Sequence, residues 1–461
     1  MKQLPSLRFY LFFSLLIIAV PCLTVRCAAQ TIFKPDPRIA NALEQISSQR
    51  IQSNIEKLVQ FHTRSTISAQ DSASIASGKG IGAAREWIKS EFERYSRECG
   101  GCLEVKIDSF TLGPAERIPD PTVITNVYAV LKGTDSSNAN RVVLVTGHYD
   151  SRDTDVLDTG GFAPGANDDG SGTAVSLECA RVLSKIKFPA TIIFLTVAGE
   201  EQGLDGSHHF AELAKSSGWQ VEAVLNNDIV GGDRNPGQNP RVVRVFSEGV
   251  PLTINPTALR TMQDIGGESD SPSRELARYV SEAARTYSTQ VKPMLVFRLD
   301  RYHRGGDHIP FLEQGFPAVR FTEFSENFDH QHQNVRTEHG VEYGDLPKFV
   351  NFDYVANVAR VNAATLALLA AAPAPPQKVR LLVNSLENSS TLTWEPPADS
   401  EHPHYEVVWR LTTSPEWEHH KNVGNETRVT LPLSKDNVIF GVLASDEKGH
   451  RSLPVVPAPE R

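Results

Sequence analysis

Hydrophobic and polar positions follow two different periods over the first three quarters of the chain. Continuous apolar runs at 141–150 ("RVVLVTGHYD"), 190–201 ("ATIIFLTVAGEE") and 221–231 ("VEAVLNNDIVG") are typical of buried strands. Between them, residues 171–186 ("SGTAVSLECARVLSKI") and 206–218 ("GSHHFAELAKSSG") carry apolar residues at helical spacing. This alternation predicts an α/β fold, a three-layer α/β/α arrangement around a mostly parallel sheet.

Further elements of the same kind extend this domain over residues 38–372. A segment rich in Gly, Pro and Asn at 231–272 breaks the alternation, and we expect an elaborated connection there that contains one strand. The other predicted elements are helices within 38–66 and at 81–96, 271–288 and 346–372, and strands at 126–133, 241–249 and 316–324.

The pattern changes after the last of these helices. A proline-rich linker at 373–377 is followed by short alternating strands over 378–457, without a helical stretch, which predicts a small all-β sandwich. This part resembles fibronectin type III modules at four positions, Trp394, Pro396, Tyr405 and Trp409. The resemblance implies a binding module whose ligand, a protein or a polysaccharide surface, stays open.

The N-terminus has the layout of a secretory signal. Lys2 and Arg8 precede an apolar run at residues 9–20, and small residues follow up to Ala29. We therefore predict a signal peptide at 1–29 and a secreted or periplasmic protein. The run is shorter than the ~20 residues of a spanning helix, so no stable membrane insertion is expected after cleavage, although an uncleaved anchor stays open.

Composition narrows the choice of function. The 461 residues are 40% hydrophobic and 22% charged, as expected of globular domains, and the net charge is −9 with Lys and Arg scattered along the chain. This distribution argues against nucleic acid as a partner. Outside the signal, Cys99 and Cys102 in "CGGC" predict a local disulfide, and Cys179 in a helical pattern predicts a buried thiol.

Acids and histidines collect where the predicted strands end. In an open α/β sheet the ligand site lies outside the carboxyl ends of the strands, so these side chains are expected to meet. Imidazole and carboxylate together form the mixed ligand set of catalytic zinc. The candidates are His148 and Asp150, Asp168 and Asp169, Glu200 and Glu201, Asp228, and His330 and His332.

The ordered motifs that carry these residues resemble a known group of enzymes. "GHYDS", "APGANDDGSGTA", "GEEQGLDGS", "NNDIVG" and "GGDHIPFLEQGFPA", with a late histidine, look like the zinc-dependent aminopeptidases of clan MH. That group includes secreted bacterial leucyl-type aminopeptidases, glutamate carboxypeptidases and glutaminyl cyclases. The resemblance covers residues 50–370 and implies their zinc exopeptidase fold.

The resemblance also implies a site with two zinc ions, bridged by the Asp168 carboxylate and by a water or hydroxide. The remaining ligands would be His148 and Asp228 for one ion, and Glu201 with the late histidine for the other. Glu200 would act as the general base. Two cations lower the pKa of a shared water, and a nearby unligated carboxylate can take its proton.

The late histidine is the least determined of these ligands. In the family a histidine is followed four residues later by an acid; His330 has that spacing to Asn334, although Asn334 is an amide. His332 is the alternative, because both imidazoles share a face if the segment is extended. We prefer His330.

The side chains around the ligands also receive roles. Asp150 is expected to bind the far nitrogen of His148 and fix its tautomer, and Asp169 to cap the following helix. Asp307 and His308, which precede a helix, are expected to support the site. If Glu200 and Glu201 leave a strand, they point to opposite faces, and Gly199 and Gly203 allow the chain to bend around them.

Taken together, the sequence predicts a secreted metallo-aminopeptidase that removes N-terminal residues from peptide substrates with two zinc ions. A carboxypeptidase of the same clan and a glutaminyl cyclase are the alternatives, and a non-catalytic binding protein is a third. A glycosidase is disfavoured because its carboxylates lie about 5 Å or more apart across a sugar. A serine hydrolase is disfavoured because G-x-S-x-G is missing at a strand-to-helix turn. The preferred residue, the physiological metal and the oligomeric state stay open.

Overall fold

An eight-stranded mixed sheet is the centre of the computed structural model, which describes residues 34–397 and 404–461. The predicted signal peptide at 1–29 lies outside the described residues. In the order β1-β2-β4-β3-β5-β8-β6-β7, the strands are β1 (Leu103–Leu112), β2 (Thr122–Leu131), β4 (Thr191–Val197), β3 (Arg141–His148), β5 (Gln220–Asn227), β8 (Ala318–Glu323), β6 (Val242–Ser247) and β7 (Lys292–Val296).

Parallel pairing occupies the middle of this sheet. β3 pairs in parallel with β4 and β5, and β5 with β8. β1, β2 and β4 pair antiparallel, as do β8 and β6, whereas β6 and β7 pair in parallel. The predicted α/β class is confirmed, and the antiparallel pairs make the sheet mixed. β3 and β4 are buried along their whole length, as expected of central strands covered on both faces.

Helices cover both faces of the sheet. On β4, Ile192 and Phe194 pack in one apolar cluster and Ile193 and Leu195 in another, because successive side chains of a strand point to opposite faces. The described helices are α1 (Pro37–Glu44), α2 (Ser48–Val59), α3 (Ser72–Ala76), α4 (Gly80–Glu98), α5 (Gly170–Leu183), α6 (Glu200–Gly203), α7 (Asp205–Ser216), α8 (Pro256–Ile265), α9 (Pro272–Thr286), α10 (His308–Glu313) and α11 (Phe352–Ala371), with 3₁₀ turns at Gly267–Ser269 and Pro347–Phe349.

α11 is the central helix of one face. It packs against α2, α5 and α9. Among the described helices it alone is long and apolar enough to cross a membrane by length and composition, but 94% of its apolar window is buried inside the protein. That burial is what a core helix of a folded domain has.

The connection at 231–272 contains more structure than predicted. Besides the expected strand β6, it holds α8. Two signals mark the start of this helix: the side chain of Asn255, just before it, accepts a hydrogen bond from the Ala258 amide, and Pro256 occupies the first helical position. Gly266 ends the helix in the left-handed conformation, with φ 66°. The start and stop signals were therefore present in the sequence, but the Gly and Pro content around them concealed the helix.

Seven strands in two sheets follow α11 in the part of the chain that the structure describes. The first sheet has the order β15-β12-β11-β17 and the second β14-β13-β16, with Trp394 and Tyr405 packed edge to face between their strands, ring centroids 5.5 Å apart. Their bounds are β11 (Gln377–Leu382), β12 (Ser390–Glu395), β13 (His404–Leu411), β14 (His419–Gly424), β15 (Arg428–Leu431), β16 (Val438–Ser445) and β17 (Ala458–Glu460); two short strands, β9 (Arg336–Glu338) and β10 (Val341–Tyr343), form a hairpin before α11.

These C-terminal strands are joined to α9 by buried polar contacts. Trp417 Nε1 donates to the carboxylate of Glu275 at 2.9 Å, and Arg278 donates to the carbonyl of Pro415 at 2.6 Å. The Arg410 guanidinium pairs with Asp270. The described chain therefore packs as one unit across the predicted linker.

The cysteines lie as predicted. Cys99 and Cys102 form a disulfide at the end of α4, and Cys179 is a buried free thiol in α5.

Candidate metal centre and active site

The candidate site lies at the carboxyl ends of three adjacent strands. β3 ends at His148, Glu200 and Glu201 follow β4 by a short turn, and Asp228 follows β5 directly. Because these parallel strands are neighbours in the order β4-β3-β5, their ends meet at one edge of the sheet. A cavity of about 600 Å³ opens there, and most of the predicted ligands line it.

Asp168 is the central side chain of the site. Its Oδ1 lies 3.1 Å from His148 Nε2, and its Oδ2 lies 2.9 Å from His332 Nε2. The two carboxylate oxygens therefore face two different imidazoles. Two groups of possible metal ligands result, with the ligand atoms of each group within 4.8 Å of one another: His148, Glu200 and Asp228, and Asp168, Glu201 and His332.

The late histidine at this cluster is His332. Its Nε2 lies 3.0 Å from Glu201 Oε1 as well as close to Asp168. The imidazole of His330, the preferred candidate from the sequence, instead binds Asp233 and stacks on Phe349 at a centroid distance of 3.6 Å. The segment forms a turn, with His332 at φ 54°, so the two imidazoles do not share a face as an extended strand would require.

Glu200 and Glu201 begin a helix rather than end a strand. β4 stops at Val197, and α6 begins at Glu200 after Gly199 turns the chain with φ 83°. Neighbouring residues of a helix point about 100° apart, so the two carboxylates still diverge, each toward a different ligand group. The second bend was expected at Gly203, but Leu204 makes it, with φ 62°.

Asp150 connects the two halves of the site. Its Oδ1 lies 3.3 Å from His148 Nδ1, the nitrogen that faces away from Asp168. Its Oδ2 accepts from the hydroxyl of Thr66 at 2.9 Å and from the Glu201 amide at 3.2 Å. The hydrogen bond of Nδ1 itself goes to the main-chain carbonyl of Asp150 at 3.2 Å, so Asp150 orients the imidazole and fixes its tautomer through its carbonyl, with the carboxylate close by.

Burial and neighbouring charges shift the pKa values of Asp168 and Glu200 in opposite directions. Burial opposes the charge of Asp168, but the imidazoles of His332 and His148 outweigh it and hold the pKa of this carboxyl well below its usual range. Burial raises the pKa of Glu200 well above its ordinary value; His148 opposes this rise, and Asp228 adds to it.

The donor set fits zinc. Within the described residues, His148 Nε2 and Glu201 Oε1 are buried and make no hydrogen bond, and each lies beside another candidate ligand, Asp168 Oδ1 at 3.1 Å and His332 Nε2 at 3.0 Å. Buried polar atoms normally have hydrogen-bond partners, so an imidazole nitrogen and a carboxylate oxygen without one, each beside another candidate ligand, are suited to bind a metal ion. Nitrogen and oxygen donors in this mixture are those that zinc uses at catalytic sites.

The predicted supporting residues surround the cluster. Asp169 caps α5, accepting from the Gly172 amide at 2.8 Å, and it also accepts from the His148 amide at 3.0 Å. Asp307 is fully buried, next to the start of α10. His308 points away and bonds the Leu299 carbonyl at 3.0 Å.

Two further residues hold the loops of the site, and sequence reasoning missed both. The fully buried guanidinium of Arg64 donates to the carbonyls of Tyr149 and Gly165 at 2.7 and 2.8 Å, tying together the segments that precede Asp150 and Asp168. The carboxylate of Asp345 accepts from the amides of Asn167 and Asp168 at 2.8 and 2.7 Å. Neither residue lies in a motif, because both bind backbone atoms.

Replacing Asp345 by Asn is expected to weaken the metal centre without removing a ligand. An amide nitrogen would face backbone donors in place of a carboxylate oxygen, so the Asp168 backbone would lose its anchor. We expect zinc affinity to fall about 10- to 100-fold, as for other groups that orient ligands. Competition with a chelating dye measures this. The exposed Asp353 is the matched control, as Asp353→Asn; unchanged affinity in Asp345→Asn would contradict the anchoring role.

The sequence matches a family model over the part that contains the site. Residues 126–344 match the model of peptidase family M28, and this range includes all of the predicted ligands. Relatives extend the likeness over most of the chain. A "probable zinc metalloprotease" of Pyrenophora tritici-repentis is 47% identical over 430 residues, covering 92% of this chain and 88% of its own length. One of Pyricularia oryzae is 45% identical over 434 residues, covering 92% and 85%.

A solved structure shares the fold. The LapA aminopeptidase of Legionella pneumophila superposes with a TM-score of 0.52 at 22% identity, covering 74% of this chain and 76% of that one. The family model and the relatives both indicate a peptidase. The chain therefore belongs to peptidase family M28.

Proposed function

We propose that this M28 peptidase is a secreted aminopeptidase that uses two zinc ions to remove N-terminal residues from peptides. The observation that carries the proposal is the position of Asp168, whose two carboxylate oxygens face the two ligand groups from 3.1 and 2.9 Å. One carboxylate between two such groups is the arrangement that a two-metal hydrolase needs.

The ligands divide between two ions. His148 and Asp228 would hold one ion and Glu201 and His332 the other, with Asp168 shared. His332 takes the place of His330 because its Nε2 lies 2.9 Å from Asp168 and 3.0 Å from Glu201. Bound zinc supplies Lewis acidity, which lowers the pKa of a nearby water and polarises the scissile carbonyl.

Glu200 is proposed as the general base. Its side chain lines the cavity beside the ligands, so it can take a proton from the attacking water and return it to the leaving amine. Asp150 contacts His148 Nδ1 with its main-chain carbonyl at 3.2 Å and with its carboxylate at 3.3 Å, which keeps Nε2 directed at the site. Glu200 and Glu201 thereby take separate tasks from adjacent positions.

Removal of residues from the N-terminus of the peptide is supported by similar proteins. The relatives are named zinc metalloproteases, and LapA is named an aminopeptidase, which favours removal of N-terminal residues. A carboxypeptidase is the second candidate, because Arg117 and Arg152 line the cavity without a carboxylate partner among the described residues, and guanidinium groups bind carboxylates. The signal-like N-terminus supports secretion, and we propose a fibronectin type III-like binding role for the C-terminal strands.

Metal removal and substrate blocking test the proposal together. Protein dialysed against a chelator is expected to lose at least about 100-fold in kcat/KM and to recover it with two zinc ions per chain, since both the water and the carbonyl depend on the metal. Leu-Ala-NH2 should be cleaved and its N-acetylated form should not. Cleavage of the acetylated peptide would overturn the aminopeptidase assignment, and full activity of metal-free protein would overturn the zinc mechanism.

A further inference from the structure

Charged side chains dominate the walls of the active-site cavity. Four carboxylates of the metal centre line it together with five arginines. The arginines are Arg117, Arg152, Arg301, Arg304 and Arg320. Only two apolar side chains, Leu204 and Phe328, belong to the same lining. A pocket that selects an aliphatic side chain is lined mainly by apolar groups, so this one is built for a different ligand.

Three of the arginines are neutralised by the protein itself. Arg320 lies 3.0 Å from Asp228 and 3.0 Å from Asp300. Arg301 and Arg304 share the carboxylate of Glu326, at 2.8 and 2.9 Å. These contacts account for the positions of the three guanidiniums.

Arg117 and Arg152 differ from these three. Arg117 donates to the main-chain carbonyl of Glu201 at 3.1 Å, and Arg152 donates to the carbonyls of Asp153 and Thr154, both at 3.0 Å. Within the described residues, neither guanidinium has a carboxylate in salt-bridge range. A guanidinium has five N–H donors, so each keeps donors for a ligand.

Both side chains are also held beside the reacting groups. The bond to the Glu201 carbonyl fixes the guanidinium of Arg117 at the start of α6, next to the proposed base. Arg152 follows Asp150 by two positions and lines the same cavity. Two guanidiniums that have no carboxylate partner among the described residues therefore share the cavity with the metal centre.

We propose that the cavity binds a carboxylate of the peptide substrate through Arg117 and Arg152, so that this peptidase prefers carboxylate-bearing peptides. The inference rests on the proposed function and names its substrate class. Guanidinium groups bind carboxylates with two parallel hydrogen bonds, which gives both affinity and orientation. The carboxylate can be an acidic side chain or the free C-terminus of a short peptide, and the two sources share this chemistry.

Four dipeptides separate the possibilities on the zinc-loaded enzyme. Glu-Ala-NH2 carries only a side-chain carboxylate, Leu-Ala only a terminal one, Leu-Ala-NH2 neither, and Lys-Ala-NH2 a second positive charge. We expect kcat/KM for one of the first two to exceed that for Leu-Ala-NH2 by about tenfold or more, the effect of a charged hydrogen bond. Arg117→Gln and Arg152→Gln should each lower this ratio by about tenfold. Arg260→Gln, at an exposed arginine on α8, is the matched control and should leave it unchanged.

Binding provides a readout that does not depend on turnover. In the zinc-loaded Glu200→Gln protein, calorimetry should find tighter binding of the preferred carboxylate peptide than of Leu-Ala-NH2, and Arg152→Gln in that background should remove the difference. Because both arginines are near solvent, high salt should weaken the preference.

The outcomes distinguish the two proposals. Equal kcat/KM for all four peptides, or a preference that survives both arginine substitutions, would overturn the carboxylate site while leaving the peptidase function intact. No hydrolysis with zinc supplied would overturn the proposed function, and the binding measurement would then decide the carboxylate site alone.

Discussion

Replacing Glu200 by Gln is expected to lower kcat about 10²- to 10⁴-fold while leaving two zinc ions bound per chain. The amide keeps the shape of the side chain but cannot take a proton from water. Its neighbours His148, Asp228 and Glu201 would be unchanged, so the metal stoichiometry should hold. Steady-state kinetics on Leu-Ala-NH2 and metal analysis of the same preparation measure both quantities.

The metal count makes this variant informative about the alternative role of Glu200. In the structure its carboxylate groups with His148 and Asp228, so a ligand role is geometrically possible. If the Glu200→Gln protein bound only one zinc ion, Glu200 would be a metal ligand. If its kcat were near that of the wild type, Glu200 would not be the general base. Glu212→Gln, at an exposed position on α7, is the matched control and should retain both activity and metal.

Replacing Asp168 by Asn is expected to cause the largest loss, at least about a thousandfold in kcat/KM, with fewer than two zinc ions bound. One carboxylate faces both ligand groups, so a single substitution affects both ions. The amide would also place a second donor near Gln331 Nε2, which donates to Asp168 Oδ2 at 3.0 Å.

A second variant distinguishes a carboxylate that both metal ions share from a carboxylate that binds only one ion. Asp228 belongs to one group only, so Asp228→Asn should weaken one ion and leave the other bound. Metal titration of the two variants should therefore differ in the number of affected sites, and the exposed Asp329→Asn should behave as wild type. If Asp168→Asn lost no more metal than Asp228→Asn, the shared position of Asp168 would be wrong.

The sequence determines the middle of the sheet better than its edges. β3 and β4 are buried on both faces, so their apolar runs are continuous and easily recognised. β1 lies at an edge and is largely exposed, with Ile107 54% accessible, so apolar and charged residues alternate over 103–108 and form no continuous apolar run. β1 is held in the sheet by its pairing with β2, and a local sequence pattern does not show such a pairing.

The same limit applies to the site. Residues at the ends of buried strands, such as His148 and Asp228, can be found from local motifs because the strand fixes their place. The choice between His330 and His332 depends on a turn whose conformation comes from contacts with Asp233 and Phe349. Arg64 and Asp345 bind carbonyls and amides that any sequence could supply, so their roles emerge only in three dimensions.

The polar contacts between α9 and the C-terminal strands have a consequence for how this protein could be divided. Glu275 and Arg278 are buried under Trp417 and Pro415, and Asp270 is buried against Arg410. Taking away one partner of a buried ion pair leaves an uncompensated charge, which costs several kcal/mol, about 3–5. A boundary that composition marks clearly is thus not a place where the polypeptide can be cut, and recombination that exchanged the C-terminal strands would have to exchange the facing surface of α9 with them.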